Sequence, residues 1–155
     1  MMNKIPYGKC VYGKEEIDSV INCLKKGTQM GNEVRTFESK ISKLFGKKYG
    51  IMVNSGTSAL TLAIKVLNLP KNSEVITPCL NFGTAISSIV FNELKPIFVD
   101  VNKKTLQIDK NLIEKKINKN TKALLIPNLI GNVPDWIKIS KIAKKYKLKI
   151  IEDSA

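Results

Sequence analysis

The feature that most constrains this chain is a repeated alternation. Short apolar runs of strand length are separated by longer segments whose apolar residues recur at helical spacing. Ala123-Leu124-Leu125-Ile126-Pro127 is continuously apolar, and Tyr49–Val53, Glu74–Thr77, Pro96–Asp100 and Lys149–Asp153 read as further strands. A strand facing water on one side alternates apolar with polar residues. A continuously apolar one is buried on both faces, which requires helices above and below it. The pattern therefore predicts an α/β fold with a mainly parallel sheet covered by helices. At 155 residues the chain is long enough for one domain with a real core.

The helices carry their own start and stop signals. Ile17, Val20, Ile21 and Leu24 predict a helix over Gly13–Leu24, stopped by Gly27. Gly31-Asn32 opens a second, with Asn32 as its cap, Val34, Phe37, Ile41, Leu44 and Phe45 as its stripe, and Gly46 closing it. After Tyr49–Val53 and the Ser55-Gly56-Thr57 turn, a third helix buries Leu60, Ala63, Ile64 and Leu67. A fourth spans about Thr84 to Asn92. Asp109 caps a short one to Ile117, and Gly131-Asn132-Val133-Pro134-Asp135 leads into one holding Trp136, Ile137, Ile139, Ile142 and Ala143. The chain stops at Ser154-Ala155, directly after an apolar strand ending in two acids, so it reads as a truncated piece of a longer protein.

Composition removes several functions. The net charge of +13 raises nucleic acid as a partner. Arg35 is the only arginine, however, and pairs such as Lys47-Lys48 and Lys144-Lys145 are not interleaved with aromatics as a base-stacking surface would be. The lysines read as a solvated surface. Cys10, Cys23 and Cys79 form no C-x-x-C pair and there is no histidine, which argues against a zinc site and against Ser-His-Asp or Cys-His catalysis. No metal ligand is assigned. No apolar run is long enough to span a membrane, and Met1 to Gly8 has no signal-peptide core, so neither membrane nor nucleic acid is expected as a partner and a cytoplasmic location is expected.

Ligands of parallel α/β sheets sit beyond the carboxyl ends of the strands. Ser55-Gly56-Thr57, Asn81-Phe82 and Glu152-Asp153 all fall at such ends. A strand turning at Ser-Gly-Thr into a helix leaves free N–H groups at the helix start, a seat for phosphate. Gly56 lets an anion approach the backbone, and Ser55, Thr57 and Ser58 add hydroxyls. Phe82, between Asn81 and Gly83, has room beside its ring for a flat ligand. Asp153 can hold a protonated ring nitrogen by a charge-assisted hydrogen bond. Each has a plainer reading: a structural turn, a core ring, a helix cap. As an ordered set they describe a pyridoxal-phosphate pocket. The chain has neither G-x-x-x-x-G-K-[ST] nor a G-x-G-x-x-G after a strand.

Several segments resemble, in order, the DegT/DnrJ/EryC1/StrS family, the sugar aminotransferases of the type I pyridoxal-phosphate fold. They are Tyr12-Gly13-Lys14-Glu15-Glu16-Ile17, Gly31-Asn32-Glu33-Val34-Arg35-Thr36-Phe37-Glu38, Asn54-Ser55-Gly56-Thr57-Ser58-Ala59-Leu60, Glu74-Val75-Ile76-Thr77-Pro78, Pro96-Ile97-Phe98-Val99-Asp100-Val101 and Ile151-Glu152-Asp153-Ser154-Ala155. The resemblance covers essentially the whole chain. It implies an N-terminal arm and helix over 1–30 and part of the pyridoxal-phosphate-binding large domain over 31–155. It implies that Gly56 and Thr57 bind the cofactor phosphate, Phe82 stacks on the ring and Asp153 contacts the ring nitrogen. It also implies a homodimer acting on a nucleotide-linked keto-sugar with an amino donor, in lipopolysaccharide or other glycoconjugate biosynthesis.

Two departures qualify the resemblance. The family's Schiff-base lysine would lie beyond Ala155, so no catalytic residue is assigned within this chain, and the piece alone is not expected to complete a catalytic cycle. Asn128-Leu129-Ile130-Gly131-Asn132-Val133-Pro134-Asp135 is closer to the family's pyridoxamine-phosphate-dependent sugar 3-dehydratases than to its aminotransferases. Gly131-Asn132 is equally readable as a turn before a helix starting at Pro134. An aminotransferase part, a dehydratase part and a non-catalytic α/β binding module remain open at this point.

Overall fold

The computed structural model describes Pro6, residues 8–29 and residues 31–155. The chain divides into two compact units, Met1–Met52 and Val53–Ala155. No helix among the described residues is long and apolar enough to cross a membrane.

The first unit holds α1 (Lys14–Lys26) and α2 (Asn32–Leu44). Both carry the amphipathic stripes the sequence predicts, but the stripes stay exposed: α1 has no buried residue and α2 buries only Ser42. Gly31, not Asn32, is the N-cap of α2, with no side-chain bond to the helix. Asn32 already has its place in the first turn, so its amide cannot cap. The C-terminal signal is as expected. Gly46 takes φ +60, its N–H donates to Lys43 O, and Lys47 N–H reaches back to Ser42 O at 2.7 Å. That pair of bonds closes a helix through a left-handed residue, which glycine adopts without strain.

Tyr49–Val53 is not a strand. A strand exists only through ladder bonds to a neighbour, and this segment is fastened to α2 instead. Met52 N–H donates to Glu38 Oε1 at 2.8 Å, and Gly50 lies so close to α2 that a Cβ there would meet Glu38 O at 2.5 Å. Tyr49, Ile51 and Met52 are left exposed.

The second unit is a three-layer sandwich. Its strands are β1 (Glu74–Pro78), β2 (Lys95–Val99), β3 (Thr121–Pro127) and β4 (Lys149–Asp153), in the order β2-β1-β3-β4, and every pairing is parallel. Pro96 is tolerated because β2 is an edge strand. Successive residues point to opposite faces. Val75, Ala123, Leu125 and Ile151 meet α3 (Gly56–Lys65) and α4 (Gly83–Phe91) through Leu60, Ile64, Ala85 and Ile89. Ile76, Leu124 and Ile126 meet α5 (Lys110–Lys116) and α6 (Trp136–Lys145) through Ile113, Ile139, Ile142 and Ala143. Burial on both faces is what the continuously apolar strands require.

Polar bonds fix the helices. Thr61 and Ser88 hydroxyls are 3.0 Å apart, and Asn92 Nδ2 donates to Thr61 O and Ser88 O, tying α3 to α4. Asp109 caps α5 by accepting from Asn111 N–H at 2.9 Å. Asp135, one residue after the predicted helix start at Pro134, caps α6 by accepting from Lys138 N–H at 3.0 Å. Asp135 is also ion-paired with Lys110. The Lys110 ammonium, then the Lys138 N–H, hold its carboxyl below the ordinary aspartate value. A carboxyl whose folded pKa is depressed stabilises the fold above the unfolded value, near about pH 4, and loses that contribution as pH falls through the folded one. Asp135→Asn keeps a capping oxygen but no charge. A melting-temperature profile below about pH 4 is expected to be flatter for the variant than for wild type.

Candidate functional site

The candidate site lies at the carboxyl edge of the sheet in the second unit. The chain leaves β1 toward β2 on one side, whereas β3 leads to β4 on the other. Such a reversal opens a crevice between the two central strands, where loops part instead of crossing.

The helices of one face bring their N-termini to that edge. α4 follows β1 after the Cys79–Phe82 loop, so it starts there. α3 runs the same way. Just past its C-terminus, a short turn brings Asn72 N–H to Glu93 O at 2.8 Å, immediately beyond the C-terminus of α4. With their C-terminal ends neighbours, α3 and α4 both aim their N-termini at the strand ends.

Gly56 and Thr57 are the first residues of α3. Ser55 is the N-cap: its Oγ accepts from Ser58 N–H at 3.2 Å and its carbonyl accepts from Ala59 N–H at 3.0 Å. The N–H groups of Gly56 and Thr57 precede the first helical bond and have no intrahelical acceptor. Nothing lies within 4 Å of where a Gly56 Cβ would be, so the space beside these donors is open.

Phe82 is the N-cap of α4, and its ring is 69% exposed, so it is not a core residue. Its loop is pinned at several points. Cys79 N–H donates to Val99 O at 2.9 Å, and Cys79 Sγ to Asp100 Oδ1 at 3.4 Å. The Val101 N–H, and then the Cys79 thiol, keep the Asp100 carboxyl below its ordinary value. Asn81, placed with Phe82 at the strand end by the sequence but given no role of its own there, fastens the loop on both sides. Its Oδ1 accepts from Phe82 N–H at 2.7 Å, while its Nδ2 donates to the buried Thr77 hydroxyl at 3.0 Å. An Asn directly before a helix start was the available signal.

Asp153 is the last residue of β4, paired with Pro127 of β3. It lies two residues beyond Ile151, so strand alternation turns its side chain to the face of α3 and α4. Among the described residues, no side-chain hydrogen bond or ion pair engages its carboxylate. Gly56, Thr57, Phe82 and Asp153 therefore share one face and one edge of the sheet.

The loop after β3 completes the edge. Ile130 holds φ +55, a left-handed conformation costly for a β-branched side chain. The loop is fastened by Gln107 Nε2 donating to Leu129 O at 3.1 Å and by Asn132 Nδ2 donating to Thr105 O at 3.4 Å. Asn132 and Asp135, within the segment that resembles the dehydratases, both have structural partners.

Residues 11–155 match the DegT/DnrJ/EryC1/StrS aminotransferase family, and the chain belongs to it. It is 39% identical to dTDP-3-amino-3,6-dideoxy-alpha-D-galactopyranose transaminase of Aneurinibacillus thermoaerophilus, over 93% of this chain and 40% of that protein. It is 32% identical to GDP-4-keto-6-deoxy-D-mannose 3-dehydratase of Yersinia pseudotuberculosis, over 99% and 41%. The structure of the E. coli GDP-4-keto-6-deoxy-D-mannose-3-dehydratase with bound hydrated PLP superposes with a TM-score of 0.91 at 30% identity, covering 99% of this chain and 41% of that one. The chain thus spans about two fifths of the length of these relatives.

Proposed function

We propose that this chain is the cofactor-binding part of a pyridoxal-phosphate-dependent nucleotide-sugar aminotransferase. The observation that carries the reading is the gathering of two uncommitted backbone donors, an exposed aromatic ring and an unpartnered carboxylate on one face of the sheet's carboxyl edge. These groups fit the cofactor's phosphate, its flat ring and its ring nitrogen. The open space at Gly56 gives the phosphate a way in.

Gly56 and Thr57 donate their N–H groups to the phosphate at the positive end of α3. Phe82 covers one face of the ring. Asp153 keeps a proton on the ring nitrogen. When bound, pyridoxal phosphate supplies an electron-accepting ring that stabilises negative charge on a substrate carbon. The substrate on this reading is a nucleotide-linked keto-sugar, which the names of the matched nucleotide-sugar enzymes support; the reading adds an amino donor and a use in making polysaccharides or glycoconjugates such as lipopolysaccharide. On this reading 1–30 are an arm and helix, 31–155 belong to the large domain, and the protein works in the cytoplasm as a homodimer.

A second reading rests on the likeness to the dehydratases and on the Gly131–Asp135 segment. It makes the chain the equivalent part of a pyridoxamine-phosphate-dependent sugar 3-dehydratase, with the same four contacts.

Gly56→Val tests the phosphate seat. The new side chain meets no protein atom at its Cβ, so the melting temperature is expected to hold. It occupies the phosphate's approach, so affinity for pyridoxamine 5′-phosphate in a fluorescence titration is expected to fall about tenfold to a hundredfold, the range for losing charge-assisted hydrogen bonds. Unchanged affinity would remove the seat from α3.

A further inference from the structure

Behind Asp153 stands a side chain that the sequence did not single out. Asn128, the residue after β3, has its amide fully engaged. Its Oδ1 accepts from Trp136 Nε1 at 3.0 Å, and its Nδ2 donates to Glu152 Oε1 and to Ser154 Oγ, each at 2.8 Å. Ser154 Oγ donates in turn to Glu152 Oε1 at 3.2 Å. The Asn128 backbone N–H donates to Asp153 O at 2.8 Å. The orientation of the amide is unambiguous, because an indole only donates and a carboxylate only accepts.

The bonds have a direction. Glu152 and Ser154 flank Asp153, and alternation puts them on the opposite face from it. Asn128 follows Ile126, two residues on, and so shares the α5 and α6 face, where Trp136 packs. One amide thus grips both neighbours of Asp153 from the back of the sheet and anchors them to the first residue of α6. The Asp153 carboxylate is left free on the front, with its backbone held on both sides and at its own carbonyl.

We propose that Asn128 is a positioning residue for Asp153: by clamping Glu152 and Ser154 to Trp136, it fixes the direction in which the Asp153 carboxylate meets the ring nitrogen of the cofactor. The inference rests on the role given to Asp153 under the proposed function. In this role Asn128 acts through Asp153 and needs no contact with substrate. Glu152, the other carboxylate at this strand end, is left unsubstituted in every variant below.

The test is a titration of the ring nitrogen. The whole protein is loaded with pyridoxamine 5′-phosphate carrying nitrogen-15 in the ring, and the nitrogen shift is followed against pH. Asn128→Ala is expected to bring deprotonation down by about one pH unit, the scale of a misplaced opposite charge. Trp136→Phe withdraws one bond and keeps the packing; it is expected to shift the titration the same way by less, and it carries the test if Asn128→Ala does not fold. Asp153→Asn is the reference. A normal titration in Asn128→Ala or, failing that, Trp136→Phe, beside a shifted one in Asp153→Asn, overturns the clamp and leaves the role of Asp153 standing. A normal titration in Asp153→Asn overturns both. A lowered melting temperature alone, with the titration in place, reduces Asn128 to a structural residue.

Discussion

Asp153→Asn is expected to leave the protein folded and to cost it most of its activity. The carboxylate ends β4, takes part in no side-chain bond among the described residues, and is only half-buried. The bonds of that strand end run through the Asp153 backbone carbonyl and through its neighbours, so an amide of the same shape disturbs none of them. What it removes is the negative charge that, on the proposed reading, faces the ring nitrogen. A neutral ring nitrogen accepts electrons poorly, and turnover of the whole protein should fall about a hundredfold or more, as when one preorganised electrostatic partner is deleted from a site. Binding should suffer much less, because the phosphate seat is elsewhere. Parallel measurements of turnover, of pyridoxamine-phosphate affinity and of melting temperature separate these effects. A loss confined to stability would mean that Asp153 only ends a strand.

The second large effect is on stability. Leu125→Ala is expected to destabilise the second unit by about 3 kcal/mol, within the range for Leu-to-Ala changes that leave a cavity. Leu125 sits on β3, flanked by β1 and β4, is fully buried, and faces the layer formed by Leu60, Ile64, Ala85 and Ile89. Neighbours on both sides leave little room for collapse around the void. Ile150→Ala on β4 is the contrast: its side chain is 37% exposed, and the loss should be nearer about 1 kcal/mol. Urea denaturation of both variants gives the comparison. Equal losses would mean that the central strand is not the centre of the core. A loss of about 3 kcal/mol is a large fraction of the roughly 5–15 kcal/mol that holds a domain together.

The parallel sheet was legible because burial on both faces leaves no polar alternation. Ala123–Pro127 could have been nothing but an inner strand or a buried helix segment, and its length favoured the strand. The edge position of β2 was not read from the sequence: Pro96 is compatible with it, but the inner strands also end in prolines, Pro78 and Pro127. The cap at Asp109 was legible, because a carboxylate before a helical stripe can accept the free N–H groups of the first turn; the start of α6, read at Pro134, lies two residues later, with Asp135 as its cap. Tyr49–Val53 misled because apolar composition states a preference for burial, whereas strand formation is decided by a partner, and Glu38 took the backbone N–H of Met52 instead.

At the proposed site, Gly56, Thr57, Phe82 and Asp153 were singled out by residue type and order; Phe82 and Asp153 do stand at strand ends, whereas Tyr49–Val53, ahead of Gly56, is no strand. The common face of the four was not legible. It follows from the register of β3 with β4 and from the direction of α3, neither of which a single sequence specifies. Asn81 and Asn128 were named within segments of interest but given no role, for a related reason. An asparagine after a strand is ordinary loop chemistry until its partners are known, and those partners, Thr77 for the first and Glu152, Ser154 and Trp136 for the second, are set by folding.

On the proposed reading, one face of the sheet's carboxyl edge forms a pyridoxal-phosphate pocket. A crystal of the whole protein grown with pyridoxamine 5′-phosphate tests it most directly. The phosphate is expected on the N–H groups of Gly56 and Thr57, the ring against Phe82, and the ring nitrogen within hydrogen-bond reach of the Asp153 carboxylate. A ligand bound elsewhere, or a ring nitrogen turned away from Asp153, would contradict it.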